Sequence, residues 1–245
     1  MIVLAGAAEA QVRTPAPTPP QWRGTIGVSG GVQTIGRTEA QHFVVQKNLE
    51  DAPIAASLDL ARAAVYDVGL TVMLVQGRLG ASVSVSSASR RFGGDVTAQI
   101  PHPFFFNTPR PVSGSVARLL NTEAAVHLDA TYELRTSARF DLLCFIGPSI
   151  FRVTQDLVSD ITYTDSYPYD TATFTSVPTT RMSATTLGFN LGADLTWKAS
   201  RRVGVGALVR YARGSARLTP SAGNNVSTTV GGLQVGGGLR FALGQ

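Results

Sequence analysis

The stretch LGFNLGADLTWK, residues 187–198, decides the fold class of this chain. Its odd positions, from Leu187 to Trp197, are apolar or aromatic, whereas its even positions are small, polar or charged. A period of two residues predicts a β-strand whose two faces meet different surroundings. The run is also about as long as a tilted strand needs to be to cross a bilayer, ~9–11 residues.

The same alternation recurs along most of the chain and predicts eight strands. They centre on residues 26–33, 66–74, 79–86, 126–135, 140–147, 187–198, 203–211 and 233–241. In the fifth strand, Pro148 cannot donate to a ladder, so we expect a β-bulge there.

The connections between these strands alternate between short and long. Tight turns are predicted near Gln76-Gly77, Thr136-Ser137 and Ser200-Arg201. Long loops are predicted at residues 37–64, 89–116, 155–182 and 214–228. Short turns at one end and long loops at the other are typical of outer-membrane barrels. The expected fold is therefore an all-β, transmembrane, eight-stranded antiparallel up-and-down β-barrel.

The low content of charged residues indicates that part of the protein surface does not face water. Charged residues make up 15% of the 245 residues, against about a quarter in ordinary soluble domains. No apolar run reaches the roughly 20 residues of a membrane helix, so a chain that spans a bilayer must do so as a closed barrel. A soluble lipocalin-like barrel would alternate in the same way. However, its wet face should be rich in Lys and Glu, and the polar face here is rich in Gly, Ser and Thr.

The charge and the cysteine content exclude several classes of function. The net charge is +5, but the basic residues are scattered, so a nucleic-acid partner is not expected. Anionic lipopolysaccharide and outer-membrane lipid explain the excess more simply. Cys144 is the only cysteine, which rules out an intramolecular disulfide and a cysteine metal cluster. We predict no cofactor and no metal site.

The N-terminal segments have the composition of export and tether sequences. Residues 1–10 are interpreted as the remnant of a signal peptide that ends in the small-x-small pattern Ala8-Glu9-Ala10. Residues 11–21 are Pro-rich and predict an extended periplasmic tether. The barrel is then assigned to residues 22–245.

The export signal, the eight-strand meander and the ending GGLQVGGGLRFALGQ together resemble the small outer-membrane barrel family typified by outer-membrane protein A. In that family the last strand ends in an aromatic residue preceded by alternating apolar ones, a pattern that the barrel assembly machinery reads. Phe241, Leu239, Val235 and Leu233 fit this pattern, although four residues follow the Phe. The resemblance implies the bacterial outer membrane, with the loops extracellular and both termini periplasmic.

The charged residues on the polar face are candidates for a lumenal network. An eight-stranded barrel is just wide enough inside for side chains to fill, and buried charges must pair. We therefore predict that ion pairs in the lumen involve the following residues: Asp129, Glu133, Asp194, Arg210 and Arg240. Such a network either only plugs the barrel or lines a narrow gated pore.

Two of the long loops contain aromatic clusters that could bind a partner, because binding residues often lie in loops on a rigid scaffold. The candidates are Phe104, Phe105 and Phe106 in one loop and Tyr163, Tyr167 and Tyr169 in the next. The Phe residues could equally pack over the barrel mouth or extend a strand, and the segment with the Tyr residues could be a solvated hairpin.

No catalytic motif accompanies these features, since the three histidines lie in separate segments and no nucleophile elbow is present. The leading hypothesis is a non-enzymatic outer-membrane barrel that acts in envelope structure or in binding an extracellular protein or surface. The alternatives are a narrow porin-like channel and a lipid-modifying outer-membrane enzyme.

Overall fold

The computed structural model describes residues 23–34, 37–75, 78–135, 137, 139–219 and 226–243. The predicted signal remnant, the tether and two of the turn positions, Gln76-Gly77 and Thr136, lie outside the described residues. No helix in the described ranges is long and apolar enough to cross a membrane.

The described residues form twelve β-strands. They are β1 (Arg23–Thr34), β2 (Arg37–Lys47), β3 (Glu50–Leu60), β4 (Ala63–Val75), β5 (Leu79–Pro101), β6 (Pro109–Arg135), β7 (Phe140–Val158), β8 (Thr162–Asp165), β9 (Ala172–Ser176), β10 (Thr179–Lys198), β11 (Val203–Leu218) and β12 (Val226–Leu243).

Eight of these strands close into an antiparallel ring. The order around the ring is β1-β4-β5-β6-β7-β10-β11-β12, and β12 returns to pair with β1 in the register Val28↔Leu239. Each predicted strand lies within one ring strand. The expected all-β, eight-stranded up-and-down barrel is therefore confirmed.

The outer face of the ring carries a continuous apolar surface. We call the outward side chains of residues 26–32, 66–74, 79–85, 126–134, 140–150, 187–197, 203–211 and 233–243 the apolar belt. Within it, Leu191 is 43% exposed and Val235 is 49% exposed, whereas Arg240 is buried inside the ring. This polarity is the reverse of a soluble barrel and is the polarity that lipid requires.

The two faces of β5 exchange their polarity where the strand leaves the belt: the outward residues become polar and the inward residues become apolar. Within the belt, Val85 points outward, and the next residue, Ser86, points inward. Beyond a register shift at Phe92/Gly94, Val96 points inward and Thr97 points outward. Water replaces lipid outside the barrel at this level, so the outer face becomes polar and the inner face can become apolar.

The sequence predicts four long loops, and this prediction is wrong, because most of the described residues in these segments form β-strands. Residues 37–64 contain the hairpin β2–β3, residues 89–116 are mainly the extended ends of β5 and β6, and residues 155–182 include the hairpin β8–β9. The described parts of 214–228 also belong largely to β11 and β12.

A second hydrophobic core stabilises these extensions, and we call the structure built around it the outer cap. The buried members of its core are Ala52, Ile54, Ala56, Leu58, Leu60, Phe92, Val96, Ala98, Ile100, Val112, Leu119, Val158 and Ile161. They come from β3, β5, β6, the end of β7 and the residue before β8, and they lie at the end of the barrel opposite the short turns. Burial of this apolar surface compensates for the ordering of segments that would otherwise be flexible.

The bulge predicted at Pro148 is also wrong. The β6–β7 ladder pairs His127 with Ser149 and Ala130 with Ile146 in one continuous register, and it only skips the two positions between them. Pro148 pairs with Phe189 of β10 on its other side. The missing N–H of Pro148 is therefore accommodated by a gap in the ladder and not by an inserted residue.

The belt predicts a depth-dependent cost for a charge on its outer face. Leu191→Arg, near the middle of the belt segment of β10, should destabilise the barrel by about 2–4 kcal/mol, whereas Leu187→Arg, at the belt edge, should cost about 0–1 kcal/mol. Reversible urea unfolding from lipid vesicles measures both free energies. Equal costs at the two positions would contradict the membrane-facing assignment.

Candidate functional site

The lumen nearest the short turns contains the ion pair of Arg240 and Asp194. Arg240 Nη2 lies 2.6 Å from Asp194 Oδ2, and Arg240 Nε donates to the same oxygen at 2.8 Å. Nearer the turns, Lys198 pairs with Asp141. The structure thus brings together two members of the predicted network.

Arg210 forms the next layer with a partner outside the predicted set. Its Nη1 lies 2.5 Å from Asp67 Oδ2, and its Nη2 donates to Ser84 Oγ at 2.9 Å. The guanidinium carbon lies 5.3 Å from the centre of the Phe145 ring. The pair of Arg210 and Asp67 therefore links β11 to β4 across the lumen.

The other two predicted network residues are lumenal but make different contacts. Asp129 accepts hydrogen bonds from Asn190 Nδ2 at 2.8 Å and from Ser82 Oγ at 3.4 Å, and not from an arginine. Glu133 is half-buried and lines the cavity between Asp129 and the turns. Amide and hydroxyl donors thus satisfy a carboxylate that sequence reasoning assigned to an ion pair.

A histidine and two serines meet above Arg210. Ser86 Oγ lies 3.0 Å from His127 Nε2, and His127 Nδ1 lies 2.7 Å from Ser149 Oγ. His127 is completely buried. A serine and a histidine therefore converge, but in the closed interior and not at a rim where a substrate could reach them.

A polar layer that sequence reasoning missed separates this site from the outer cap. Arg90 Nη2 lies 2.8 Å from Glu123 Oε1, Gln33 Nε2 donates to Glu123 Oε2 at 3.0 Å, and Gln234 Nε2 donates to Gln33 Oε1 at 2.9 Å. Arg90 fell within a predicted loop, so no strand alternation indicated that its side chain points inward.

The lumen is open at one end only in the described part of the chain. A cavity of about 170 Å³ reaches the short turns, where Ser200, Arg201 and Arg202 line it, and it extends as far as Arg210 and Asp67. Above that level lie fully buried side chains, among them His127, Phe151, Gln155, Leu58 and Ile100. The interior is thus filled from Arg210 to the outer cap.

At the opposite end, five aromatic side chains come together from two segments, four of them exposed and Tyr169 half-buried. We call Phe104, Phe105, Phe106, Tyr167 and Tyr169 the aromatic tip. The three Phe side chains are 69%, 64% and 70% exposed, and Tyr167 is 86% exposed. The Tyr169 ring joins the two segments, with centroids 5.4 Å from Phe104 and 6.1 Å from Tyr167.

Tyr163, the sixth predicted loop residue, is not part of the tip. Its side chain packs against the core of the outer cap together with Phe174, and its ring centre lies 5.9 Å from the Arg110 guanidinium carbon. Strand alternation in the short β8 turns Tyr163 inward, and a loop assignment could not reveal this.

Two buried side chains hold the tip in one conformation. His102 Nδ1 accepts hydrogen bonds from the backbone N–H groups of Phe104 and Phe105 at 3.1 and 3.2 Å. Arg110 pairs with Asp165 at 2.8 Å and donates to the carbonyl oxygen of Tyr169 at 2.9 Å. Its Nη2 also donates to the Pro101 carbonyl at 3.0 Å.

The backbone of the tip is strained at two positions. Asn107 has φ = 57° and Tyr169 has φ = 74°, both in the left-handed region. Asn tolerates this region, but a bulky residue such as Tyr rarely adopts it. Strain of this kind persists only where surrounding contacts enforce it, and the bond from Arg110 to the Tyr169 carbonyl is such a contact.

A further ion pair fixes the strands of the outer region above the belt. Arg181 Nε donates to Asp156 Oδ1 at 2.8 Å, and the backbone N–H of Leu120 donates to Asp156 Oδ2 at 3.0 Å. The hydrogen bonds from Arg181 lower the pKa of Asp156 below its usual value, against the opposing effect of partial burial. Asp156 therefore joins β7 to both β10 and β6.

A closed ring of eight antiparallel strands with an apolar exterior and a filled polar interior defines the class of the small outer-membrane β-barrels. This chain has that fold. The structure of the outer membrane protein OprG from Pseudomonas aeruginosa matches with a TM-score of 0.50 and 9% identity, over 92% of this chain and 98% of that one.

Two other solved structures match with lower scores. The outer membrane protease OmpT from Escherichia coli has a TM-score of 0.45 and 11% identity, over 94% of this chain and 99% of that one. The attachment invasion locus protein Ail of Yersinia pestis, in complex with a heparin analogue, has a TM-score of 0.37 and 12% identity, over 89% and 99%. No protein-family model matches the chain, and no curated protein sequence matches it. The comparisons thus show the fold alone.

The pairing of Arg210 with Asp67 predicts strong coupling between the two residues. Arg210→Gln leaves Asp67 buried without its cation and should destabilise the barrel by about 3–5 kcal/mol. Asp67→Asn in the same chain should restore a large part of that loss, because two neutral amides can bond to each other. A double-mutant cycle measured by urea unfolding gives the coupling energy, and additive effects would contradict the assigned pair.

Proposed function

We propose that this chain is a non-enzymatic barrel of the bacterial outer membrane that binds an apolar surface on an extracellular partner through its aromatic tip. The observation that carries the proposal is the convergence of four exposed rings and the half-buried Tyr169 ring on rigid anchors. Contiguous apolar patches of this kind are rare on protein surfaces unless they bind something.

The anchoring of the tip favours binding over a role in packing. A flexible loop loses conformational freedom when it binds, and a preorganised one loses less. His102 and Arg110 fix the backbone of both segments before any partner arrives. Phe104, Phe105, Phe106 and Tyr167 are 64–86% exposed, so these four rings contribute little to the stability of the barrel itself.

The orientation in the membrane is part of the proposal. In outer-membrane barrels the short turns are periplasmic and the long connections are extracellular. The aromatic tip would then face the cell exterior, and the apolar belt would contact outer-membrane lipid and lipopolysaccharide. Phe241, Leu239, Val235 and Leu233 all point outward on β12, which supports a last strand that the barrel assembly machinery can read.

The filled lumen argues against the alternative of a porin-like channel. The cavity at the short-turn end stops at Arg210 and Asp67, and completely buried side chains lie above it. A plugged barrel also suits a purely structural role in the envelope, which is the second candidate. Such a role gives no reason for four exposed aromatic rings.

The positions of the histidines support the proposal that the chain is not an enzyme. His127 is sealed inside the barrel. At the tip, His102 Nε2 lies 3.9 Å from Asp170 Oδ1, but Nδ1 already accepts two backbone hydrogen bonds. A catalytic relay needs both ring nitrogens, so His102 is better explained as a support for the Phe104–Phe106 turn.

Adhesion of whole cells to hexadecane droplets tests the proposal. Cells that display the chain should move to the hydrocarbon phase, and replacing Phe104, Phe105 and Phe106 together by Ser should reduce this adhesion about tenfold or more. Burying a single Phe side chain contributes about 1.5–3 kcal/mol, and 1.4 kcal/mol corresponds to a factor of ten.

Leu49→Ser is the matched control. Leu49 is 89% exposed at the end of the β2–β3 hairpin, where its neighbours Asn48 and Glu50 bond to the Pro101 carbonyl and the Asn107 N–H. Its loss therefore removes apolar area beside the aromatic tip without removing one of the tip rings. Adhesion should stay close to that of the unmodified chain, with equal amounts of folded protein at the cell surface. If the triple Phe variant adheres as well as the Leu49 variant, the aromatic tip is not the binding surface.

A further inference from the structure

Five exposed arginines lie at the end of the barrel that carries the short turns. We call Arg23, Arg78, Arg139, Arg201 and Arg202 the short-turn rim. All five side chains are exposed. Within the described ranges, none of the five makes an ion pair.

These arginines are distributed evenly around the ring. Arg23 begins β1 next to the end of β12, Arg78 lies in the β4–β5 connection, Arg139 in the β6–β7 connection, and Arg201 and Arg202 in the β10–β11 connection. At least one arginine thus stands at each of the four points where consecutive ring strands meet at this end. Neighbouring points are two strands apart, or roughly 10 Å at the usual strand spacing.

The rim lies directly at the edge of the apolar belt. Arg78 precedes Leu79, Arg139 precedes Phe140 and Arg202 precedes Val203, and each of these following residues is an exposed member of the belt. Trp197 and Phe241 are also exposed at this edge. Aromatic rings mark the headgroup level of a membrane, so the guanidinium groups lie at the depth of the lipid phosphates.

The acidic groups at this end do not neutralise the rim. Asp141 and Asp194 line the cavity, where they pair with Lys198 and Arg240. Glu133 is half-buried and lines the same cavity, whose mouth Arg201 and Arg202 also line, and no exposed carboxylate lies among the described residues of this end. The charge presented to the surrounding membrane is therefore basic.

We propose that the short-turn rim binds the phosphate groups of anionic phospholipids. Guanidinium groups bind phosphate through paired, charge-assisted hydrogen bonds, and basic residues near an anionic membrane surface attract its lipids. A ring of such contacts fixes the depth of the barrel in the bilayer. The lipid contact does not depend on the orientation in the cell; only its assignment to the periplasmic leaflet rests on the proposed function.

Trp197 provides a built-in reporter for these lipids. Its exposed ring lies on β10 at the edge of the belt, and the neighbouring Lys198 N–H donates to the Arg139 carbonyl at 2.8 Å. In a Trp22→Phe background it is the only tryptophan. Refolding this chain into vesicles that contain brominated phosphatidylglycerol or brominated phosphatidylcholine lets fluorescence quenching report which lipid contacts the ring.

We expect brominated phosphatidylglycerol to quench Trp197 more strongly than brominated phosphatidylcholine does. Each arginine that binds lipid should raise the preference for phosphatidylglycerol about fivefold. The variant Arg139→Gln/Arg201→Gln/Arg202→Gln should lower the preference to about one. The control Arg91→Gln/Arg152→Gln/Arg213→Gln removes three exposed arginines from the far side of the belt and should leave it unchanged.

Three results would overturn the inference. One is equal quenching by the two lipids in the unmodified chain, and another is an equal loss of preference in both triple variants. A preference that inorganic phosphate abolishes would also overturn it, because the rim would then bind a free anion and not a lipid. None of these results bears on the aromatic tip, so a failure here and a failure of the proposed function are distinguishable.

Discussion

The structure depends on the closure of the strand ring between β1 and β12. Backbone N–H and C=O groups have no water to bond in hydrocarbon, so each must find a partner within the ring. The closing ladder supplies these partners in one unbroken antiparallel register from Gly24↔Leu243 to Thr34↔Leu233. The seam is tightly packed, since a Cβ at Gly31 would lie 2.5 Å from the Gly236 Cα.

Closure with only eight strands then dictates what the interior can be. The cylinder is too narrow for a wide aqueous channel, so its polar side chains must satisfy one another. They do so in successive layers, from Asp194–Arg240 through Asp67–Arg210 and His127 to Glu123. Above these layers the outer cap closes the end with apolar side chains. A filled interior of this kind leaves the exposed ends of the barrel as the surfaces available for binding.

The part of the fold that could be predicted from sequence is the part where one physical rule dominates. Within the belt every outward position contacts lipid, so alternation in segments such as 187–198 and 203–211 predicts both the strand and its facing. Above the belt, water is outside and a second core is inside. The alternation there is shorter, interrupted and of opposite sense, and β2, β3, β8 and β9 were therefore predicted as loops.

For the candidate sites too, the sequence predicts some features and only the fold shows the others. Strand alternation predicts that Asp194 and Arg210 face the lumen. It does not predict that Arg210 pairs with Asp67 and not with Asp129, because this pairing depends on the stagger between strands that are far apart in sequence. At the tip, the sequence indicates which residues are aromatic. Only the fold shows that Tyr163 turns inward and that Arg110 and His102 support the other rings.

A barrel whose lumen is sealed can act only through its exposed surfaces, as the proposed function requires. Conductance of the refolded protein in planar lipid bilayers measures whether the lumen is sealed. We expect no stable unitary currents, because the side chains from Arg210 to the outer cap leave no continuous aqueous path. Reproducible unitary currents that change when Arg210 or Asp194 is replaced would contradict this expectation and would identify the lumen as a pore.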